Sequence, residues 1–160
     1  MAQQRITCRF SITFGLLLML SSPLFAASSI DVTDAWMREA PPNVPMAGYM
    51  SVVNRGDASD FLVAASCDDF AVTELHRTFY ESDMMRMVRM EAIEIPAGAS
   101  LLFEPAGYHI MLIGPKKRLL TGEQSQITLH FRHGESQVVT FPVVKQDPQA
   151  AAREHLSHGN

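Results

Sequence analysis

A chain of 160 residues, of which 47% are apolar and 19% charged, is long enough to form one soluble globular domain. Its 17 acidic residues outnumber its 13 basic residues, which gives a formal charge of −4. An acidic chain without a basic stripe is not expected to bind nucleic acid, so this class of function is excluded.

The first 27 residues have the layout of a secretory signal peptide. Arg5 and Arg9 precede an apolar run, Ile12–Leu20, and small residues follow it. The run is shorter than the ~20 residues that a helix needs to cross a bilayer, which disfavours a retained anchor helix. We therefore expect cleavage near Ala26 or Ala27, export to the periplasm and no stable membrane insertion afterwards.

Removal of residues 1–27 changes the charge and the cysteine content of the chain. It leaves 11 basic and 17 acidic residues, a formal charge of −6, and a single cysteine, Cys67. Cys8 precedes the apolar run, so it is not placed for lipid attachment at the cleavage point. One thiol cannot form an internal disulfide, and no histidine lies within a few residues of Cys67. We expect Cys67 to be a small buried side chain, not a metal ligand.

Residues 28–144 read as short strands separated by turns rich in glycine, proline and asparagine. Eight or nine short strands in a segment of this length predict an all-β fold, a single antiparallel β-sandwich. Residues 145–160 are polar and predict a flexible C-terminal tail, with at most one helical turn over Ala150–His155. The predicted strands are Ile30–Met37, Ala47–Asn54, Asp60–Ser66, Ala71–Phe79, Met84–Glu91, Ser100–Glu104, Tyr108–Ile113, Ser125–Arg132 and Ser136–Val144.

Methionine is unusually frequent after residue 27. Eight methionines occur there, four of them between positions 84 and 90, although methionine is normally used sparingly in protein cores. For Met37, Met50, Met84 and Met90 we expect ordinary core packing.

Alternation along the strands separates other methionines and histidines from the core. In the strand predicted over 108–113, His109 and Met111 share the face opposite to that of Tyr108, Ile110 and Leu112. Apolar thioethers on a polar face, beside imidazoles, call for a functional explanation.

His76 and Met87 also project from the less apolar faces of their strands. Thioether and imidazole ligands select Cu(I), and methionine sulfur needs no deprotonation to bind it. We therefore predict one Cu(I) site made of His76, Met87, His109 and Met111. Met85, on the same strand face as Met87, is a candidate for secondary metal binding.

The spacing His76-x10-Met87-x21-His109-x-Met111 resembles the H-x10-M-x21-H-x-M signature of the periplasmic copper chaperone PCu(A)C family. The resemblance extends over roughly residues 30–144. It is also carried by the segments Asp34-Ala35-Trp36, Ala47-Gly48-Tyr49-Met50, Asn54-Arg55-Gly56, Glu94-Ile95-Pro96-Ala97-Gly98 and Gly107-Tyr108-His109-Ile110-Met111.

This resemblance implies a cupredoxin-like β-sandwich with an accessible Cu(I) site. It further implies a carrier that delivers copper for the CuA centre of cytochrome oxidase, with a Sco-type thioredoxin-fold protein or the oxidase CuA subunit as partner. Some members of the family bind Cu(II) through a C-terminal extension, for which this chain offers His155 and His158. We expect a monomer.

Two other functions stay open at this point. A cupredoxin-type electron carrier would need Cys67 as a thiolate ligand, and a metal-free β-sandwich would use the methionine cluster as an interaction surface. An enzyme is not expected, because no Ser/His/Asp set, carboxylate pair or zinc motif stands out. We interpret His130 and His133 as structural or exposed.

Overall fold

The computed structural model describes residues 29–82 and 84–148, which form ten β-strands. Nine of them correspond to predicted strands. The tenth, β6, has only three residues, too few to show an alternating pattern. The strands are β1 (Ile30–Arg38), β2 (Met46–Asn54), β3 (Asp60–Ser66), β4 (Phe70–Glu81), β5 (Met84–Arg89), β6 (Ile93–Ile95), β7 (Ser100–Phe103), β8 (Tyr108–Pro115), β9 (Gln124–Phe131) and β10 (Gln137–Val144).

Two predicted segments fall on residues that the structure does not describe. The signal peptide, residues 1–27, lies outside the described residues, and so does the tail after residue 148, with Ala150–His155 and His158. Both therefore stay predictions. Over residues 29–82 and 84–148, no helix has the length and the apolar character needed to cross a membrane.

The strands follow the order β5-β4-β8-β7-β2-β1-β10-β9-β3-β6. In this spatial order, the first six strands, from β5 to β1, form one layer, and the last four, from β10 to β6, form the other. The layers join where β1 runs parallel to β10, with Met37 opposite Val143. The predicted all-β sandwich is confirmed, with one correction: the β1–β10 pairing and the short β7–β8 pairing are parallel.

The core lies between the two layers, where side chains from alternate positions of the strands meet. A Cβ atom on Gly48 of β2 would lie 3.4 Å from the Phe141 ring of β10, an ordinary van der Waals contact, so the two layers meet closely at this point. Burying these side chains supplies the main stabilising free energy of the fold. The largest fully buried ones are Phe103, Phe141, Met37, Met50, Leu62, Ile93, Ile95, Ile110, Leu112, Ile127, Leu129 and Val52.

The methionines expected in the core behave in two ways. Met37 and Met50 are fully buried, and Met90 packs partly buried against the core. The prediction for Met84 is wrong, because 57% of its surface is exposed. β5 is the edge strand of its layer and all six of its residues are exposed, so even its apolar positions do not reach the core.

A β-bulge in β1 changes which residues face the core. Thr33 pairs with Ser51 but Trp36 pairs with Tyr49, so β1 carries one extra residue. Asp34, at φ +52°, adopts the left-handed conformation that the bulge uses. As a result Met37 turns into the core, and Trp36 turns to the opposite face of the layer.

Candidate metal centre

The register of β4 and β8 brings the two predicted histidine ligands together. His76 lies directly opposite His109 in this antiparallel pair. Side chains directly opposite each other lie on the same face of a sheet. The centroids of the two imidazole rings are 5.7 Å apart, and the ring planes are inclined by 58°.

The two predicted methionine ligands lie on the same face. Met111 pairs with Glu74, two residues before His76, and Met87 pairs with Thr78, two residues after it. Met111 is half-buried, whereas 50% of Met87 is exposed. Three adjacent strands, β5, β4 and β8, therefore present two imidazoles and two thioethers on one surface that is open on the Met87 side.

Each histidine of the pair uses one ring nitrogen and leaves the other without a partner. His76 Nε2 lies 2.8 Å from Glu74 Oε2, and His109 Nδ1 lies 3.2 Å from the Gly107 carbonyl oxygen. Within the described part of the chain, His76 Nδ1 and His109 Nε2 are buried and have no hydrogen-bond partner. Such a buried, unpaired group costs about 1–3 kcal/mol. These are the nitrogens that a bound metal ion would satisfy.

The electrostatic environment keeps His109 neutral. Only 4% of its surface is exposed, and this burial lowers the pKa of the imidazole below its usual 6.5. The hydrogen bond to the Gly107 carbonyl acts in the opposite direction, and the nearby His76 lowers the pKa further. Because only the neutral imidazole has a free lone pair, His109 is held in the form that binds metals.

An aromatic wall that the sequence analysis did not identify borders His109. The rings of Trp36 and Tyr49 lie 4.4 Å apart, and the Tyr49 ring lies 6.4 Å from His109. The Arg38 guanidinium lies 5.8 Å from the centroid of each aromatic ring. Trp36 reaches this face only because of the bulge. The segments that contain Trp36 and Tyr49 carry the family resemblance, but strand alternation does not place the two rings together.

The donor set fits Cu(I) better than a harder ion. Hard cations prefer oxygen ligands, whereas thioethers and imidazoles suit Cu(I). Among residues 29–82 and 84–148, no group of three or more His, Cys, Asp or Glu residues is arranged to hold a metal ion. Two neutral imidazoles and two thioethers add no charge, so the site would carry only the single positive charge of Cu(I).

Met85, the candidate for secondary metal binding, lies farther out on the β4–β5 hairpin. It pairs with Tyr80, and 60% of its surface is exposed. It shares its strand face with Met87, as the alternation predicts. Among the described residues, its strand partner is Tyr80 and not a histidine.

Cys67 lies at the far end of the β4–β8 pair. Near it Phe70 pairs with Pro115, six residues along β4 from the pairing of His76 with His109. Six strand residues span about 20 Å, too far for a shared ligand sphere. The thiol is free and only half-buried, 3.2 Å from Ser125 Oγ, so the expected burial of Cys67 is partial.

The other two described histidines have the structural character that we expected. His130 uses both ring nitrogens, each 2.9 Å from a serine hydroxyl, on Ser66 and Ser136. His133 is exposed and its ring lies 6.5 Å from that of Phe61. Neither residue lies on the strands that carry the candidate site.

Solved structures share this fold. The copper-bound PCuAC domain from PmoF2 matches with a TM-score of 0.64 at 24% identity, covering 76% of this chain and 97% of that domain. The Cu(I) form of DR1885 from Deinococcus radiodurans matches with a TM-score of 0.56 at 29% identity, covering 75% of this chain and 79% of DR1885. These matches show the fold, while the four-residue signature itself stays a prediction.

Sequence relatives give the family of the chain. "Putative lipoprotein Lxx21020" of Leifsonia xyli subsp. xyli is 31% identical over 118 residues, 73% of this chain and 70% of the relative. The uncharacterized protein RP573 of Rickettsia prowazekii is 27% identical over 131 residues, 77% of this chain and 71% of the relative. The model of a family described as "Putative lipoprotein LpqE-like" matches residues 30–143. The chain therefore belongs to the LpqE-like family.

Proposed function

We propose that this protein is an exported copper carrier that holds one Cu(I) ion with His76, Met87, His109 and Met111. One observation carries the proposal: within residues 29–82 and 84–148, the facing histidines each keep one buried ring nitrogen without a partner. A protein that gained nothing from these lone pairs would bear their desolvation cost without compensation. Two thioethers on the same face complete a donor set that suits Cu(I).

The relatives support both parts of this proposal. DR1885, whose Cu(I) form has been solved, is 29% identical to this chain, and the domain from PmoF2 is copper-bound. The family description and the name of the Leifsonia relative both refer to lipoproteins, which supports export. Export agrees with the predicted signal peptide over residues 1–27 and with a periplasmic location.

The exposure of the ligands favours transfer over permanent storage. His109 is almost fully buried, whereas half of Met87 is exposed on an edge strand. Cu(I) is stable with two or three ligands, so an incoming thiolate can bind before Met87 leaves. The acceptors that suit this chemistry are a Sco-type thioredoxin-fold protein and the CuA subunit of cytochrome oxidase. Such a carrier performs no catalysis.

Two alternative functions have less support. A cupredoxin-type electron carrier needs a thiolate ligand, but Cys67 lies about 20 Å along the strand from the histidine pair. A metal-free interaction module would use the exposed apolar side chains of the β4–β5 hairpin, Tyr80, Met84 and Met85. That function leaves the unpaired imidazole nitrogens without an explanation.

Transfer is tested by mixing the Cu(I)-loaded protein with a reduced CxxC acceptor under anaerobic conditions. We expect transfer within minutes, at a rate that rises with acceptor concentration, because ligand exchange needs direct contact. The Met84→Leu variant is a matched control that should transfer copper at the wild-type rate. Met84 is exposed on the same strand as Met87 but faces away from the site. A rate that equals spontaneous copper release and ignores the acceptor would contradict a carrier role.

A further inference from the structure

Glu74 touches the candidate site without belonging to the predicted ligand set. It lies on β4 two residues before His76, on the same face, and opposite Met111. Its Oε2 atom lies 2.8 Å from His76 Nε2, and its Oε1 atom lies 3.5 Å from Arg89 Nη1. The side chain is 22% exposed, so the carboxylate is held between two partners at the edge of the site.

We propose that Glu74 is a positioning residue that makes His76 bind copper through Nδ1, while His109 binds through Nε2. The two histidines then present different ring nitrogens to one ion. This inference rests on the proposed function, because it concerns the same copper site. It adds which atom of each ring faces the metal and which residue decides it.

The hydrogen-bonding capacity of the two partners determines the tautomer of each ring. An ionised carboxylate can only accept hydrogen bonds, so a neutral His76 carries its proton on Nε2 and its lone pair on Nδ1. A backbone carbonyl is also only an acceptor, so His109 carries its proton on Nδ1 and its lone pair on Nε2 because of Gly107.

The burial of the two remaining ring nitrogens agrees with this assignment. His76 Nδ1 and His109 Nε2 are the ring nitrogens that are buried without a partner in the described residues. The free lone pairs deduced from the hydrogen bonds therefore coincide with the unsatisfied atoms. A carboxylate that fixes the tautomer of a metal-binding histidine commonly raises metal affinity 10- to 100-fold.

The ion pair with Arg89 does not explain Glu74 by itself. The Arg89 side chain is 62% exposed and its nearest Glu74 contact is 3.5 Å long. Ion pairs of such exposed side chains contribute little to stability. The shorter contact to His76, which is only 14% exposed, is the one that the site depends on.

The test is ¹⁵N NMR of the histidine rings in the full chain, first metal-free and then loaded with Cu(I), which is diamagnetic. We expect metal-free His76 to be protonated on Nε2 and His109 on Nδ1. Loading should shift the resonances of His76 Nδ1 and His109 Nε2. Both readings use the unaltered protein, so they do not depend on whether a variant folds.

Variants then assign the effect to Glu74. Glu74→Ala should weaken Cu(I) binding about 10- to 100-fold and remove the preference for the Nε2–H form of His76. Glu74→Gln, whose amide oxygen can accept the same hydrogen bond, should recover most of the affinity. Glu91→Gln is a matched control, because Glu91 also contacts Arg89, at 3.9 Å, and should leave both readouts unchanged.

The outcomes separate this inference from the proposed function. Coordination of copper by His76 Nε2 in place of Nδ1, or wild-type affinity in Glu74→Ala, would overturn the role of Glu74 and leave the proposed copper site in place. A copper-loaded sample in which the ¹⁵N resonances of neither histidine ring shift would overturn both the role of Glu74 and the proposed function.

Discussion

Histidines on two parts of the sandwich have opposite surroundings. On β9, His130 hydrogen-bonds through both ring nitrogens to serine hydroxyls on Ser66 and Ser136. On β4 and β8, His76 and His109 face each other, and each keeps one buried nitrogen without a partner in the described part of the chain. His130 is satisfied by the protein, whereas the facing pair is satisfied only if something binds.

This difference shows how a functional histidine can be told from a structural one. Buried polar groups in native proteins are almost always hydrogen-bonded, so an exception needs a reason. The site pair also loses solvation, which lowers the pKa of His109 and keeps it neutral. Histidine alone is a weak signal in a sequence, but a facing pair with free lone pairs and thioethers nearby indicates a soft metal.

The largest expected effect separates the two groups of histidines directly. His109→Leu should weaken Cu(I) binding by about 100-fold or more, roughly 2.7 kcal/mol, because one of the ligands is lost. His130→Leu should leave the affinity unchanged, since both its partners lie outside the site. Competition with a chromophoric Cu(I) chelator measures both variants. Equal losses in the two variants would refute the distinction.

A smaller loss is expected for the thioether ligands. Met87→Leu and Met111→Leu should each weaken Cu(I) binding about tenfold, roughly 1.4 kcal/mol, while folding stays intact because the swap conserves volume. Met84→Leu and Met90→Leu should bind like the wild type. The same chelator competition compares the four, and a uniform response would show that strand alternation does not select the ligands.

In the metal-free protein the two histidine substitutions should change places: His130→Leu should lower the free energy of unfolding, and His109→Leu should not. His109→Leu removes a buried unpaired nitrogen together with one hydrogen bond to the Gly107 carbonyl, which still accepts from the Thr78 N–H. The two effects oppose each other, so its free energy of unfolding should be no lower than that of the wild type. His130→Leu breaks two hydrogen bonds and should lose about 1 kcal/mol. Urea unfolding of metal-free samples measures both. A clear destabilisation by His109→Leu would mean that His109 is satisfied in the apo protein.

The smallest expected effect is on the pH dependence of the free energy of unfolding. Burial lowers the folded-state pKa of His109, so the unfolded chain binds this proton more readily than the folded chain. The contribution of neutral His109 to the free energy of unfolding is complete above the usual pKa of 6.5. It is lost as the pH falls towards the folded-state pKa. Urea unfolding of the metal-free protein at several pH values should show this slope, and His109→Leu should reduce it. Parallel profiles would contradict the burial argument.

Much of the fold and of the histidine pair could be predicted, because alternation along a strand is a local property. His109 and Met111 were assigned to the face opposite Ile110 and Leu112, and the β4–β8 register agrees with this. That His76 lies directly opposite His109 was not accessible in this way, because the register between strands depends on the whole sheet.

Other features depend on tertiary context. The bulge at Asp34 reverses the alternation of β1 and brings Trp36 beside Tyr49, which a regular strand would not do. Met84 has a core-like pattern, but its strand ends the sheet and has no second layer to cover it. The contact of Glu74 with His76 is a third such feature, since this hydrogen bond follows from side-chain geometry.

The most direct test of the proposed copper site is an anaerobic titration of the signal-free chain with Cu(I) in competition with a chromophoric chelator. We expect one tightly bound Cu(I) per chain and, after the loaded sample is oxidised to Cu(II), no intense blue thiolate band, with Cys67→Ser identical to the wild type. No binding above that of the His109→Leu variant, or an intense visible band that disappears in Cys67→Ser, would contradict a site made of His76, Met87, His109 and Met111.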